Sequence, residues 1–454
     1  MKLTVIGTGY LGATHAACMA ALGHDVLGVD TDPAKTATLN SGRSFFHEPG
    51  LDDLLAAGVR SGRLRFTTDI GRAAQHARVH FLTVGTPQDK GSYRADTSHL
   101  DEVVDRLVPL LSGQNLLVGK STVPVGTARR LQLRAAQVTT GGAEVTVCWN
   151  PEFLREGRAV EDTLHPDRIV LGLPENHTEP EAVLRRVYEQ PLRGDAGHPA
   201  PPLLTMDLAT SELVKVSANA FLATKISYIN AVSEVCEAAG ADVTVLARAI
   251  GLDERIGSSF LRAGLGFGGG CLPKDIRAFM ARAGELGADE ALTMLREVDA
   301  VNMRRREKMV ALVRDSFGGS VLGHRVTVLG AAFKPDSDDV RDSPALSVAG
   351  ALNLAGARVT VHDPVAMENA RARFPTLTYA PTLGEALEGA EAVVLATEWR
   401  EFRDLDPVDA ARRVARPCVF DGRNCLPAAR WVDAGWSYRG LGRPGTGRSV
   451  AGWG

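Results

Sequence analysis

Cys271 closes the segment Gly264-Leu265-Gly266-Phe267-Gly268-Gly269-Gly270 and is followed by Leu272-Pro273-Lys274-Asp275. A loop with five glycines before the thiol is too flexible to be selected for stability. It would hold Cys271 on accessible backbone beside a cation and a carboxylate, surroundings that favour a thiolate nucleophile. Most lone cysteines are packed in turns instead; the glycines tip this one towards chemistry. Lys215 and Asn219 are four apart in a helical pattern and so point the same way, as they would on any helix surface. Glu152 and Glu156, within Asn150-Pro151-Glu152-Phe153-Leu154-Arg155-Glu156-Gly157, share a face if that segment is helical, and a capped helix start would look the same.

The second chemical signal is Gly7-Thr8-Gly9-Tyr10-Leu11-Gly12. It lies between a strand, Lys2 to Ile6, and a small-residue helix reaching Leu22, and the next strand, His24 to Val29, ends at Asp30. That context makes it a dinucleotide fingerprint: the glycines allow a tight turn and close approach of a pyrophosphate, which sits on the helix N-terminus. Asp30 accepts from ribose hydroxyls and would repel a 2′-phosphate, and Thr31 and Asp32 offer no arginine, so the expected cofactor is NAD rather than NADP.

These groups need elements to hold them. A second strand–helix–strand unit begins near residue 325, with Arg325 to Leu329, Pro344 to Ala355 and Arg358 to His362. Aligning Gly23 with Gly356 sets Asp30 opposite Asp363 in one Gly-x-x-Val-x-x-x-Asp pattern. The echo continues from Gly71 to Val84 and from Gly384 to Thr397. The second unit has only Gly330 at its first turn, so it lacks the pyrophosphate cradle. Lys334 and Arg341 there suit either phosphate or carboxylate contacts or plain solvation. From about 207 to 300 the strand rhythm is replaced by helical spacing at Leu213, Val216, Ala220, Ile226, Ile229 and Val232, a helical connector that serves as a packing spine or a dimer interface. The expected fold is α/β: two Rossmann-like parallel-sheet domains joined by a central helical region, with boundaries at 1–202, 203–305 and 306–454.

Composition limits the function classes. The chain has 454 residues, too many for one small module, and Lys plus Arg number 51 against 54 Asp plus Glu. Neither nucleic acid nor a membrane surface is an expected partner of so balanced a chain. No apolar stretch nears bilayer length. Six scattered cysteines without metal-type spacing suggest a reducing compartment and no metal; with no room for a signal peptide before Gly7, the expectation is cytoplasmic. Asn176-His177-Thr178 is a glycosylation acceptor only in a secreted chain. The glycine-rich tail from Gly440 to Gly454 reads as frayed.

With these residues in view, the chain resembles the UDP-glucose/GDP-mannose dehydrogenase family of nucleotide-sugar dehydrogenases along nearly its whole length. The resemblance rests on the first glycine motif, Val84-Gly85-Thr86-Pro87, Lys120-Ser121-Thr122-Val123-Pro124-Val125-Gly126-Thr127, Asn150 to Gly157, the glycine loop through Asp275, Phe333-Lys334-Pro335 and Asp421-Gly422-Arg423. It implies an NAD-binding domain and a UDP-sugar-binding domain flanking a helical dimerisation region. It also implies oxidation of a sugar C6 alcohol to a carboxylate with two NAD+ and no release of the aldehyde. Cys271 is then the nucleophile that forms a thiohemiacetal and a thioester.

By the same resemblance, Lys215 and Asn219 stabilise oxyanion character and Asp275 partners an acid/base water. Thr122 and Glu152 hold that water, and Glu152 is a candidate base for thioester hydrolysis. Gly7, Gly9, Tyr10, Leu11, Gly12, Asp30, Lys35, Thr86, Thr122, Val123, Glu156, Lys274 and Arg341 are implied at the cofactor. Glu152, Phe153, Leu154, Phe260, Arg262, Gly268, Lys334 and Arg423 are implied at the UDP-sugar with Lys215 and Asn219. Arg255 is implied to reach a neighbouring subunit's substrate, hence a homodimer or higher homo-oligomer. Arg255-Ile256-Gly257-Ser258-Ser259-Phe260-Leu261 resembles the UDP-glucose branch, whereas Cys-Leu-Pro-Lys-Asp is shared with GDP-mannose dehydrogenases. A silent NAD-binding scaffold is the alternative from another class; the intact set Thr122, Glu152, Lys215, Asn219, Cys271 and Asp275 argues against it.

Overall fold

The computed structural model describes residues 1–175 and 178–444, so most of the acceptor sequence at Asn176 and the tail from 445 lie outside the described residues. The chain forms two compact units, Met1–Ala218 with Arg277–Gly287 and Asn219–Ile276 with Ala288–Gly454. Among the described residues the first unit carries an eight-stranded sheet. Its strands are β1 (Lys2–Ile6), β2 (Asp25–Val29), β3 (Leu64–Thr67), β4 (Val79–Leu82), β5 (Gln114–Gly119), β6 (Glu144–Trp149), β7 (Ile169–Leu173) and β8 (Leu203–Asp207). They lie side by side in the order β3-β2-β1-β4-β5-β6-β7-β8. All pairs are parallel except β6 and β7, which meet antiparallel at Trp149 and Gly172.

The second unit carries a six-stranded, all-parallel sheet: β9 (Arg325–Leu329), β10 (Arg358–His362), β11 (Thr378–Tyr379), β12 (Ala392–Leu395), β13 (Cys418–Asp421) and β14 (Ser437–Gly440), ordered β11-β10-β9-β12-β13-β14. Every residue of β4 and of β12 is buried. Helices covering both faces leave no reason for polar alternation, which is why these strands read as short apolar runs. The direction of winding reverses between β1 and β4 in one sheet and between β9 and β12 in the other, the points beyond whose carboxyl ends such sheets bind ligands. The echo between the two halves of the sequence is thus an echo of topology.

The expected helical span is present as Leu208–Ala239, Val243–Gly251, Leu272–Glu285 and Met294–Asp315. The described part of the glycine-rich tail departs from the frayed end expected of it. Gly440 ends β14, Gly442 N–H donates to Glu237 Oε1 at 2.8 Å and its carbonyl accepts from Val243 N–H at 2.9 Å. Gly442 has φ +72° and a Cβ there would stand 2.5 Å from Ser233 Cβ, so this glycine serves close packing.

Candidate active site

The helix Tyr10–Ala21 starts with Gly9 at its N-cap and no side chain caps it. Its first N–H groups therefore face whatever occupies the β1/β4 crevice. Gly7 adopts φ +92°, and a Cβ on Gly12 would lie 1.9 Å from Gly7 O, so both positions demand glycine; the space over Gly9 is open for 4 Å. Asp30 closes the cradle at the end of β2, its carboxylate accepting from Thr8 N–H at 2.9 Å and Asp32 N–H at 3.0 Å. The cleft, about 600 Å³, is lined by Gly7, Gly9 and Asp30 with Lys35, His99 and Arg106. An uncapped helix end, a bare glycine and an acidic rim fit a pyrophosphate and an unphosphorylated ribose.

Other residues expected at the cofactor have local duties. The Tyr10 hydroxyl is turned to Glu48, which also accepts from Gly157 N–H and Ala159 N–H, both at 2.7 Å; burial and that carboxylate push the phenol pKa up. Thr86 Oγ1 donates to Thr122 O at 2.7 Å, tying the loop after β4 to the loop after β5. Leu11 and Glu156 are half-buried, and Val123 is buried. His99 and Arg106 went unnoticed in the sequence because they sit on an ordinary amphipathic helix, Ser98–Leu107, where Arg106 and Glu102 read as a solvent pair at i, i+4.

The segment 151–157 is a loop, not the helix start that equal carboxylate spacing allowed; the helix begins at Ala159. Pro151 removes a donor, Gly157 has φ +77°, and Glu152 Oε2 accepts from Leu154 N–H at 2.6 Å, a local bond that competes with helix. Glu152 Oε1 also meets Lys215 Nζ at 3.0 Å, with Lys215 buried. Phe153 lies beneath Lys215 and has the Arg168 guanidinium 3.8 Å above its ring; Leu154 and Arg168 line the same pocket as Glu152. Behind them Lys120 is buried, with Nζ 2.9 Å from Asn150 Oδ1 and 3.4 Å from Tyr188 Oη. Burial lowers its pKa to about 8, against the pull of Glu152 and with a push from Lys215. Sequence spacing alone gave no reason to single out Lys120, Tyr188 or Arg168.

In the second unit Cys271 is exposed and forms no disulfide. Its carbonyl accepts from Asp275 N–H at 2.9 Å, which makes it the N-cap of Leu272–Glu285. One turn on, Asp275 accepts from Asn219 Nδ2 at 2.7 Å and from Lys274 Nζ at 2.6 Å. By contrast, burial pushes the Cys18 and Cys148 thiols up to about 12. The glycines before Cys271 overturn the expectation of a flexible loop: residues 263–269 are buried. A Cβ on Gly266 would lie 2.1 Å from Asn302 Oδ1, on Gly268 2.3 Å from Asp342 O, on Gly269 2.8 Å from Phe333 and on Gly270 2.2 Å from the Arg341 guanidinium. The loop is glycine-rich because its neighbours press against its backbone, and Arg341, also held by Asp339 at 2.7 Å, stands beside the residue preceding the thiol.

The β9/β12 crevice is built differently from its counterpart. Asp363, the partner of Asp30, is buried and accepts from Ala331 N–H, Ala332 N–H and Trp399 Nε1–H at 2.7–3.0 Å. Ser343 caps the helix Pro344–Leu354, so that N-terminus is already satisfied. Lys334 lies 5.4 Å from the Phe333 ring, and Arg423 donates to the carbonyls of Ala396, Gly266 and Phe333 at 2.7, 2.9 and 3.2 Å, which places it under the glycine loop. Phe260 is half-exposed with φ +64°, a strained state for an aromatic residue and of the kind kept at functional sites. Arg262 is exposed, and Arg255 is outermost, paired with Asp253 at 2.6 Å.

Residues 1–192, 209–304 and 327–428 match, in turn, the NAD binding, central and UDP binding domains of the UDP-glucose/GDP-mannose dehydrogenase family. The chain is 43% identical over 444 residues to a UDP-glucose 6-dehydrogenase of Rhizobium meliloti, covering 98% of this chain and 100% of that one. It is 39% identical to one from Pseudomonas aeruginosa, with 99% of each covered. The fold is similar to a UDP-glucose dehydrogenase from the hyperthermophilic archaeon Pyrobaculum islandicum, with TM-score 0.88, 38% identity and 98% of each chain covered.

Proposed function

The chain belongs to the UDP-glucose/GDP-mannose dehydrogenase family, and from that premise we propose that it oxidises UDP-glucose to UDP-glucuronate through a covalent bond to Cys271. It is an NAD-dependent nucleotide-sugar dehydrogenase. When bound, NAD+ accepts the hydride in each of the two oxidations. The chain's own residues supply the rest. Lys215, buried and paired with Glu152, and Asn219, its amide plane set by Asp275, stabilise charge on the sugar oxygen as its proton passes to a water held by Thr122, Glu152 and Asp275. The Cys271 sulfur bonds to the resulting aldehyde carbon, and the thiohemiacetal loses a second hydride to give a thioester. Water then enters, aided by Glu152 and a Thr122- and Asp275-bound proton relay; the C–S bond breaks, carboxylate leaves and the thiol returns.

The observation that carries this reading is an exposed thiol capping a helix, one turn from a carboxylate already bonded to Asn219 and Lys274. UDP-glucose as substrate is supported by the names of the similar enzymes and by the Arg255–Leu261 segment. We assign residues 1–202 to NAD, 203–305 to dimerisation and the cysteine loop, and 306–454 to the UDP-sugar, with Arg255, Phe260, Arg262, Lys334 and Arg423 serving the latter. A homodimer is supported by Phe221, Tyr228 and Val235, 66%, 58% and 67% exposed at seven-residue spacing on the helix Leu208–Ala239. No helix among the described residues is long and apolar enough to cross a membrane, and a thiol catalyst suits the reducing cytoplasm. Following NADH formation with UDP-glucose and GDP-mannose side by side tests the assignment. Two NADH for each UDP-glucose consumed is expected; turnover of GDP-mannose alone overturns it.

A further inference from the structure

Away from the groups used above, one cluster in the first unit has the chemistry of a metal site. His165 follows the helix Ala159–Leu164, and Asp195 and His198 belong to the turn before β8; one ligand atom from each falls within 4.8 Å of the others. His165 Nδ1 stands 3.5 Å from Asp195 Oδ2, and His198 Nδ1 stands 3.1 Å from Asp195 Oδ1. Tetrahedral zinc with bonds of about 2.0–2.1 Å sets its ligand atoms roughly 3.3 Å apart; here each imidazole nitrogen approaches a different oxygen of the one Asp195 carboxylate at comparable range. The other nitrogen of His198, Nε2, faces Glu161 Oε1 at 3.6 Å, the place a carboxylate takes when it orients a metal-bound imidazole.

The turn is already shaped. Asp195 Oδ1 accepts from Gly197 N–H at 2.8 Å and His198 N–H at 2.9 Å, and Gly194, at φ +64°, admits no side chain because a Cβ would stand 2.6 Å from Ala200 N. The two rings stack at 3.8 Å with their planes 21° apart. Their lone pairs therefore lie in nearly parallel planes about 3.8 Å apart, and loading a metal requires the rings to splay about their soft terminal torsions.

We propose that His165, Asp195 and His198 bind one divalent cation of the zinc class, with Glu161 positioning His198 and a fourth position open to water. Imidazole and carboxylate donors select zinc and its neighbours over magnesium or calcium. The site would fasten His165 to the turn at Asp195; Pro166, Asp167 and Arg168, which follow His165, line the pocket shared with Glu152 and Phe153. The test is zinc binding by untagged, chelator-treated, full-length protein, followed by equilibrium dialysis with zinc sulfate and by thermal unfolding. One equivalent and a rise in Tm are expected. His198→Ala and His165→Ala should abolish both, Glu161→Gln should weaken binding about 10- to 100-fold, and Cys271→Ala should bind like the unaltered chain. No zinc bound by the unaltered chain, or binding unchanged in His198→Ala, overturns the proposal, as does loss in Cys271→Ala alone.

Discussion

An ammonium removed from water needs acceptors nearby, and Lys120 meets neutral ones, Asn150 Oδ1 and Tyr188 Oη. Burial therefore favours the uncharged amine, with a pKa near 8 against an ordinary 10.5. Between those values the unfolded chain keeps a proton that the folded chain has released, so this site's contribution to stability rises with pH across that window. The difference in stability between the unaltered chain and Lys120→Met should shift in favour of the unaltered chain by on the order of 3 kcal/mol from below pH 8 to above 10.5, read from urea midpoints. Because Lys120 couples to Glu152 and Lys215, an inflection near pH 8 is expected in the pH–rate profile of the unaltered chain and its loss in the variant. At this scale the candidates, not their roles, were legible: Cys271 stood out by its loop, and Lys215 with Asn219 by helical spacing. Lys120 was hidden because its effect depends on Asn150 and Tyr188, brought in from 30 and 68 residues away.

Elements were legible where periodicity or glycine spacing governs them, as in β1, β9 and the helices that follow them. They were left open where a side chain competes with the backbone: Glu152 accepts from Leu154 N–H within a segment that is loop. The glycine loop was misread for a related reason, since its shape answers to Asn302, Asp342, Phe333 and Arg341. A tertiary cap acts in the same way on the helix Thr127–Val138. No residue of its own caps it; Glu212 from the helix Leu208–Ala239 accepts from Gly126 N–H at 2.6 Å and Ala128 N–H at 2.7 Å. Glu212→Ala leaves the buried Ala128 N–H and the part-buried Gly126 N–H without this partner and should lower stability by about 1–3 kcal/mol, measured by chemical denaturation, with Glu212→Gln losing less. Equal stability of the alanine variant would show that the cap is idle.

At the scale of the molecule, duplication of the α/β topology was legible from the Gly-x-x-Val-x-x-x-Asp echo, and the loss of the second glycine cradle from the lone Gly330, but what fills the second crevice was not. The halves diverge in capping: Gly9 leaves one helix end bare, whereas Ser343 fills the other and Asp363 turns inward. The proposed dimer rests on the apolar heptad positions Phe221, Tyr228 and Val235 of the helix Leu208–Ala239. Tyr228→Glu with Val235→Glu should convert a dimer to monomer in light scattering and reduce activity at least tenfold if Arg255 completes a neighbour's site; an unchanged mass would remove that face from the interface. The cofactor cleft belongs to one unit and the thiol to the other, and the covalent reaction proposed above is the claim on which the account rests. Acid quenching of Glu152→Gln during turnover of UDP-glucose with NAD+, followed by peptide mapping, tests this most directly. The account predicts a UDP-glucuronyl thioester on the Cys271 peptide, absent without NAD+. An unmodified Cys271, with Cys271→Ala still completing both oxidations, would contradict it.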